Sequence, residues 1–463
     1  MLTDEQLRAV ELANSSYSDL KISAFAGAGK TTTLKAISEN RGDSGLYIAF
    51  NKAIADEAKR KFPSNIKCRT GHSLAFGDVG RHYSKRLRSI NSGDVRNTFD
   101  IARTDLHTES GLSYLAIDAV RRFCYSNDDK ITGYHVDYDI ASKETETAHY
   151  VVNIARHIWN EMSDRKSDFP VTHDFYLKKW QLSKPELDCD FVLFDEAQDA
   201  NGCILDVVVN HPGQTIYVGD KYQQIYGWRG AQNAMENMDT ENECEITQSF
   251  RFGQPVADVA MNIINHYLND NVNIKGFEKI ESELCEVDAP DAILFRTNSK
   301  MIDSILGYVD EGKRVYVVGG VGQLVGLLQG AEMLNEGKRS YNAELVGFKN
   351  FDELMEYSKT PSGQSMQLVC KLVLEGVSGD VIQALEKNKY TKKEHADVIM
   401  STCHKSKGLE FPKVRIADDF TSCNGNDGPF NLADEDARLF YVACTRAENK
   451  LDVQNTRAYK AIK

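Results

Sequence analysis

At 463 residues, 41% hydrophobic and 27% charged, the chain has an ordinary globular composition, with length for about three domains. A net charge of −13 argues against a general electrostatic nucleic-acid binder, so any such contact has to come from local geometry. No apolar run approaches the roughly 18 residues that span a membrane, and no signal peptide opens the chain. The cysteines are scattered with no CxxC pair, which argues against a zinc site and suits reduced thiols in a cytosol.

In chain order, Thr3 is placed to cap a helix, with Gln6 at the third helical position completing a capping box. Leu20-Lys21-Ile22-Ser23 reads as a short buried strand and Thr32 to Ile37 as helix. Between them lies Ala24-Phe25-Ala26-Gly27-Ala28-Gly29-Lys30-Thr31. A strand, a glycine-rich turn, Lys-Thr and a helix make a phosphate cradle, although Ala24 stands where the GxxxxGK[ST] pattern has its first glycine. Small residues let backbone N–H groups face the phosphates, Lys30 reaches the β/γ oxygens and the Thr31 hydroxyl ligates Mg²⁺.

Gly45 to Phe50 is a second strand, running into Asn51-Lys52-Ala53 and a helix through Lys61; Cys68 to Ser73, with His72, opens another segment. Strand ends of this kind face the ligand crevice of a parallel sheet. From about 76 to 180 the pattern turns helical. Its one strongly basic run is Arg81 to Arg88, a solvated helix face or a phosphate contact.

Cys189 to Asp199 holds a hydrophobic strand ending in Asp195-Glu196. Asp195 suits Mg²⁺ and Glu196 suits polarising the attacking water, and the strand is expected beside the phosphate-loop strand. Thr215 to Asp220 is a further strand. It leads to Gln223 and to Tyr226-Gly227-Trp228-Arg229, where aromatics beside an arginine either stack on bases or cap a core.

The second half repeats the α/β alternation, with strands at Asp291–Arg296, Arg314–Val318, Asp397–Thr402 and Asn449–Val453. Positions from about 325 to 392 are helical and charged and end in a lysine cluster at 387–393. The expected class is therefore α/β, with two parallel sheets, each interrupted by a mostly helical insertion.

Taken together, the segments resemble the superfamily 1 DNA helicases of the UvrD, PcrA and Rep type, several blocks being most similar to the helicase part of F-box DNA helicases. Ala26–Thr31 matches the first motif, Asp195–Asp199 the second, Gly219–Gly230 the third and Gln248-Ser249-Phe250-Arg251 the fourth. His404–Phe411 matches the fifth and Tyr441–Ala447 the sixth. The resemblance implies a first RecA-like domain at 1–75 and 181–250, with a helical insertion at 76–180. It implies a second RecA-like domain at 251–324 and 394–463, with a small insertion at 325–393.

The same resemblance assigns roles. Residues Ala26, Gly27, Ala28, Gly29, Lys30, Thr31 and Thr32 would cradle ATP, with Mg²⁺ on Thr31 and Asp195. Gln6 would read the adenine edge, Phe250 would stack on it, and Glu410 would accept from the ribose. Arg251 and Arg446 would be cationic fingers on the γ-phosphate and Gln223 its sensor. Asn51, His72, Tyr226, Trp228, Arg229, Arg296, Asn298 and His404 would line a single-stranded DNA track. Two positions depart from the family: Ala49 and Gly71 stand where relatives carry aromatics, so the base-stacking pocket is altered.

The resemblance thereby implies an ATP-dependent DNA helicase moving 3′→5′ on single strands and acting on forked or tailed duplexes. Two alternatives stand beside it: a translocase that strips bound proteins, and a non-catalytic nucleic-acid-binding module. A compact monomer without nuclease or interaction domain, off the membrane, in the cytoplasm of a bacterial or phage-infected cell is expected. Repair and recombination are the family's settings, and no loading partner is legible.

Overall fold

The apolar runs become strands because they are buried on both faces of a sheet. In the computed structural model, which describes residues 2–104, 107–227, 230–342, 344–345, 347–359, 366–425 and 428–463, two six-stranded parallel sheets form. Trp228 and Arg229 lie outside the described residues. The chain divides into one unit of Met1–Ala24 and Gly29–Ile246 and another of Phe25–Ala28 and Thr247–Lys463.

In the first unit, β1 (Leu20–Ala24), β2 (Gly45–Ala49), β3 (Ile66–Thr70), β4 (Phe191–Asp195), β5 (Gln214–Gly219) and β6 (Asn242–Ile246) order as β3-β2-β4-β5-β1-β6. Every position of β2, β4 and β5 is buried, the signature of a sheet covered on both faces. The sheet order corrects one expectation. β4 is not beside β1; β5 lies between them, paired in register as Leu20↔Ile216 on one side and Leu193↔Ile216 on the other. At the usual spacing the carboxylate strand is therefore about 10 Å from the phosphate-loop strand. Because all strands run the same way, the ends of β1, β4 and β5 still open on one edge.

Between β3 and β4 the chain is helical, with Glu109–Tyr125, Thr145–Ser163 and His173–Leu182 the longest pieces. A single apolar cluster runs from Leu46 and Phe194 on the sheet to Leu112, Val151 and Phe175 on these helices. The basic run does not behave as one face. Arg86 donates to four carbonyls, those of Ser167, Phe169, Met162 and Asp164, and Arg88 pairs with Asp94, while Arg81 and Lys85 stay exposed.

In the second unit, β7 (Glu283–Leu284), β8 (Ala292–Phe295), β9 (Val315–Val317), β10 (Val398–Thr402), β11 (Phe411–Ile416) and β12 (Ala447–Asp452) order as β7-β12-β11-β8-β10-β9. Helices Gly322–Asn335, Phe351–Ser358, Gln367–Leu374 and Ser378–Asn388 fall between β9 and β10 and share one apolar core with that side of the sheet. Lys387, Lys389, Lys392 and Lys393 are exposed, and Tyr390 among them is 82% exposed.

Candidate active site

Within the first unit, β1 hands the chain to the helix Lys30–Glu39 through a turn in which Gly29 takes a left-handed φ of 76° and serves as N-cap without a side-chain cap. The first-turn amides of a helix have no intrahelical acceptor, and here no capping side chain covers them. Amides in this position, with the helix dipole behind them, are suited to an anion. Lys30 folds back so that its Nζ lies 3.4 Å from the Ala24 carbonyl. Thr31 follows it in the first turn, half-buried.

At the end of β4, Asp195 is 5% exposed. Its Oδ2 accepts from the Tyr47 hydroxyl at 2.5 Å and its Oδ1 from the Glu196 N–H at 3.0 Å. Burial, then the neighbouring Glu196, push its carboxyl up to about 6, against the pull of Tyr47 and Lys30. Glu196 sits in the left-handed region with φ 52°, a strain of about 1–2 kcal/mol of the kind held at functional sites. Gln198 Nε2 donates to Glu196 Oε2, while Gln198 Oε1 accepts from the Asp220 N–H at 3.1 Å. Asp220 in turn accepts from Gln223 Nε2 at 2.8 Å. The candidate base and the candidate sensor thus belong to one buried network. Gly219 makes room for it, since a Cβ there would collide with Gln198 Oε1.

Gln6 forms the capping box, its Oε1 accepting from Thr3 N–H at 3.1 Å. Asn51 caps the helix Lys52–Lys61 by accepting from the Ile54 N–H at 3.0 Å. His72 contacts Asp174 Oδ1 at 3.2 Å through Nε2. Tyr226 stacks on Phe50, ring centroids 5.5 Å apart and 13° from parallel, and Phe50 is 42% exposed. Sequence alone favours Trp228 as the stacking residue and gives no sign of this Phe50–Tyr226 pair. A small cavity of about 110 Å³ lies between Phe50, His72, Glu196 and Asn201.

Within the second unit, the Ala26 N–H donates to the Tyr441 hydroxyl at 3.3 Å. The Ala26 carbonyl accepts from Ser249 Oγ at 2.9 Å, and the Gly27 carbonyl from the Phe250 N–H at 2.8 Å. Gly27 has φ 73°, and a Cβ on it would come within 2.6 Å of both Arg251 Cβ and Ser249 Oγ. Phe250 meets Phe277 edge-on. Arg251 is engaged by Glu410, with Nε 2.8 Å from Oε1, and by the Thr445 carbonyl at 3.2 Å. Arg446 is 1% exposed and donates to the Val442 carbonyl at 2.9 Å and to Thr445 Oγ1 at 3.2 Å.

Further along this unit, Arg296 pairs with Asp436, and its N–H donates to Asp419 Oδ1 at 2.9 Å. Asn298 Nδ2 lies 3.4 Å from Glu344 Oε1. His404 Nε2 is buried with no hydrogen-bond partner among the described residues. Arg296, Thr297, Lys300, Asp419 and Asp436 line an open cavity of about 730 Å³.

A hard cation fits the first unit's donor set, one hydroxyl and one carboxylate, both oxygen ligands. Among the described residues no group of three or more His, Cys, Asp or Glu could hold a metal ion. A cation at Thr31 and Asp195 would therefore draw its other ligands from phosphate and water, as Mg²⁺ does.

Two family models match in order: the UvrD/REP helicase N-terminal domain at residues 173–243 and the UvrD-like helicase C-terminal domain at residues 323–457. Two stretches, together less than half of the chain, are thus similar to the N- and C-terminal domains of UvrD-like helicases. It is 29% identical to F-box DNA helicase 1 of Gallus gallus over 97% of this chain and 48% of that protein. It is 28% identical to F-box DNA helicase protein 1 of Schizosaccharomyces pombe over 98% of this chain and 57% of that protein. The chain thus spans about half the length of the curated relatives it matches. A solved structure, an Arterivirus nonstructural protein 10 (helicase) in complex with DNA, aligns at 9% identity and a TM-score of 0.35 over 99% of this chain and 65% of that one. The relatives that align over nearly the whole chain are eukaryotic. They point to a eukaryotic protein, which corrects the expectation of a bacterial or phage-infected cell.

Proposed function

We propose that this UvrD-like chain is an ATP-dependent DNA helicase that moves 3′→5′ on single-stranded DNA and opens forked or tailed duplexes as a monomer. The observation that carries the reading is the meeting, at one edge of the first sheet, of three strand ends: β1 leading to Lys30, β4 ending in Asp195-Glu196, and β5 leading to Gln223. That edge combines a phosphate cradle with carboxylates suited to in-line hydrolysis.

In this reading the first-turn amides and Lys30 bind the β- and γ-phosphates. Thr31 and Asp195 hold Mg²⁺, which when bound supplies charge neutralisation on the phosphate oxygens. Glu196 orients the attacking water and takes its proton. Gln223 answers the γ-phosphate through the Asp220–Gln198–Glu196 network. Arg251 leaves Glu410 to join Arg446 on the γ-phosphate, stabilising charge on its equatorial oxygens. Glu410 is then released toward the ribose. Adenine recognition falls to the amide end of Gln6 and to Phe250. Nucleotide contact by residues of both units draws the two RecA-like domains together, and hydrolysis releases them. The DNA track is assigned to Asn51, His72, Tyr226, Trp228, Arg229, Arg296, Asn298 and His404.

Strand separation on duplexes carrying either a 3′ or a 5′ single-stranded tail tests the direction. Opening of the 3′-tailed duplex alone, dependent on ATP, is expected; preference for the 5′ tail overturns the polarity.

A further inference from the structure

A tyrosine in the middle of a sheet needs a partner for its hydroxyl, because burying that group unpaired costs free energy. Tyr47 is fully buried at the centre of β2, with Leu193 of β4 opposite it in register. Side chains two residues apart on a strand share a face, so the ring of Tyr47 leans along β4 past Leu193 toward Asp195. It reaches Asp195 Oδ2 at 2.5 Å, the one hydrogen bond its hydroxyl makes among the described residues. The body of the ring packs against Phe62, centroids 4.9 Å apart, a contact that phenylalanine at position 47 would make equally well. Packing therefore accounts for the ring and leaves the hydroxyl to be explained by the carboxylate.

We propose that Tyr47 is a positioning residue for hydrolysis, holding the Asp195 carboxylate in the one orientation in which it serves the magnesium ion. This rests on the reading of Asp195 as the carboxylate that holds Mg²⁺. With Oδ1 fixed by the Glu196 N–H and Oδ2 by Tyr47, rotation of the carboxylate about its bond to Cβ breaks a hydrogen bond in either sense. Each oxygen keeps a further lone pair beyond these bonds, which is what a cation would need. Without the hydroxyl, a buried oxygen loses its donor and the carboxylate is free to turn toward Lys30. Partners of this kind, one step removed from the metal, typically set its affinity by about tenfold or more.

Affinity for a fluorescent ADP, followed across a Mg²⁺ titration, reads the ion without requiring turnover. Tyr47→Phe is expected to raise the Mg²⁺ midpoint about tenfold and leave ADP affinity in EDTA near wild type, with a modest fall in melting temperature from the buried oxygen left without its donor. In an Asp195→Asn background, Tyr47→Phe is expected to add nothing, because the residue acts through that carboxylate. An unmoved midpoint with a lowered melting temperature makes Tyr47 a packing residue and overturns the proposal. So does an additive shift in the Asp195→Asn background. If Asp195→Asn alone leaves the midpoint unchanged, the assignment of Asp195 fails, and that failure is separate from the failure of Tyr47→Phe alone.

Discussion

His404 shows how a residue assigned to a DNA track is set by its surroundings. Burial first, and the adjacent Arg296 second, push its imidazole down to about 4, against a smaller pull from Asp436. At neutral pH the ring is uncharged, so the DNA contact proposed for it would be stacking or a neutral hydrogen bond rather than attraction to phosphate. The same shift sets the sign of its effect on stability. The unfolded chain takes up the proton near the ordinary histidine value and the folded chain only near 4, so its contribution is present above the unfolded value and is lost as pH falls between the two. A ring resonance of His404 followed by NMR is expected to titrate near 4 and not near 6.5. A midpoint at the ordinary value would mean the ring is solvated. Arg251 carries a similar lesson, because its guanidinium is engaged by Glu410 and the Thr445 carbonyl. A finger role for it is an exchange of partners, not the filling of an idle hand.

At the scale of elements, the run Arg81 to Arg88 divides into structure and surface. Arg86 ties the 3₁₀ turn Gly80–Arg86 to the loop after Thr145–Ser163, beside a one-rung bridge between Leu87 and Val171. Truncating it leaves several carbonyls without a donor, so Arg86→Ala is expected to cost about 2–4 kcal/mol in denaturant unfolding. Arg81→Ala, on an exposed residue, is expected to stay within about 0.5 kcal/mol. Equal effects would contradict this division.

The elements also differ in how legible they are in the sequence. Gly45–Ala49, Phe191–Asp195 and Gln214–Gly219 are readable because a strand buried on both faces writes itself as a nearly unbroken apolar run. β3, β6 and β11 are not delimited that way. Ile66-Lys67-Cys68-Arg69-Thr70 and Asn242-Glu243-Cys244-Glu245-Ile246 alternate polar and apolar residues, and Phe411–Ile416 carries a proline and two charges. The glycine-rich turn and Lys30-Thr31 proposed to hold phosphate are legible because these residues are contiguous. Sheet order is not local, and for that reason the sequence does not reveal β5 between β1 and β4. The Tyr47–Asp195 bond spans 148 positions and leaves no signal in either segment.

For the whole molecule, a net charge of −13 makes the exposed lysines at 387, 389, 392 and 393, with Tyr390 among them, stand out. Among the described residues none of these four lysines forms an ion pair. Reversing Lys389, Lys392 and Lys393 to Glu is expected to lower the slope of log affinity against log salt on forked DNA by about two to three. An unchanged slope would make the cluster a solvated face.

The proposed coupling of DNA to nucleotide chemistry at the ends of β1, β4 and β5 is tested by ATP hydrolysis with and without single-stranded DNA, wild type beside Glu196→Gln. Strong stimulation by DNA is expected in the wild type. In the variant, which keeps its nucleotide affinity, a loss of about a hundredfold or more is expected. Hydrolysis indifferent to DNA, or none under any condition, would contradict a DNA-coupled motor.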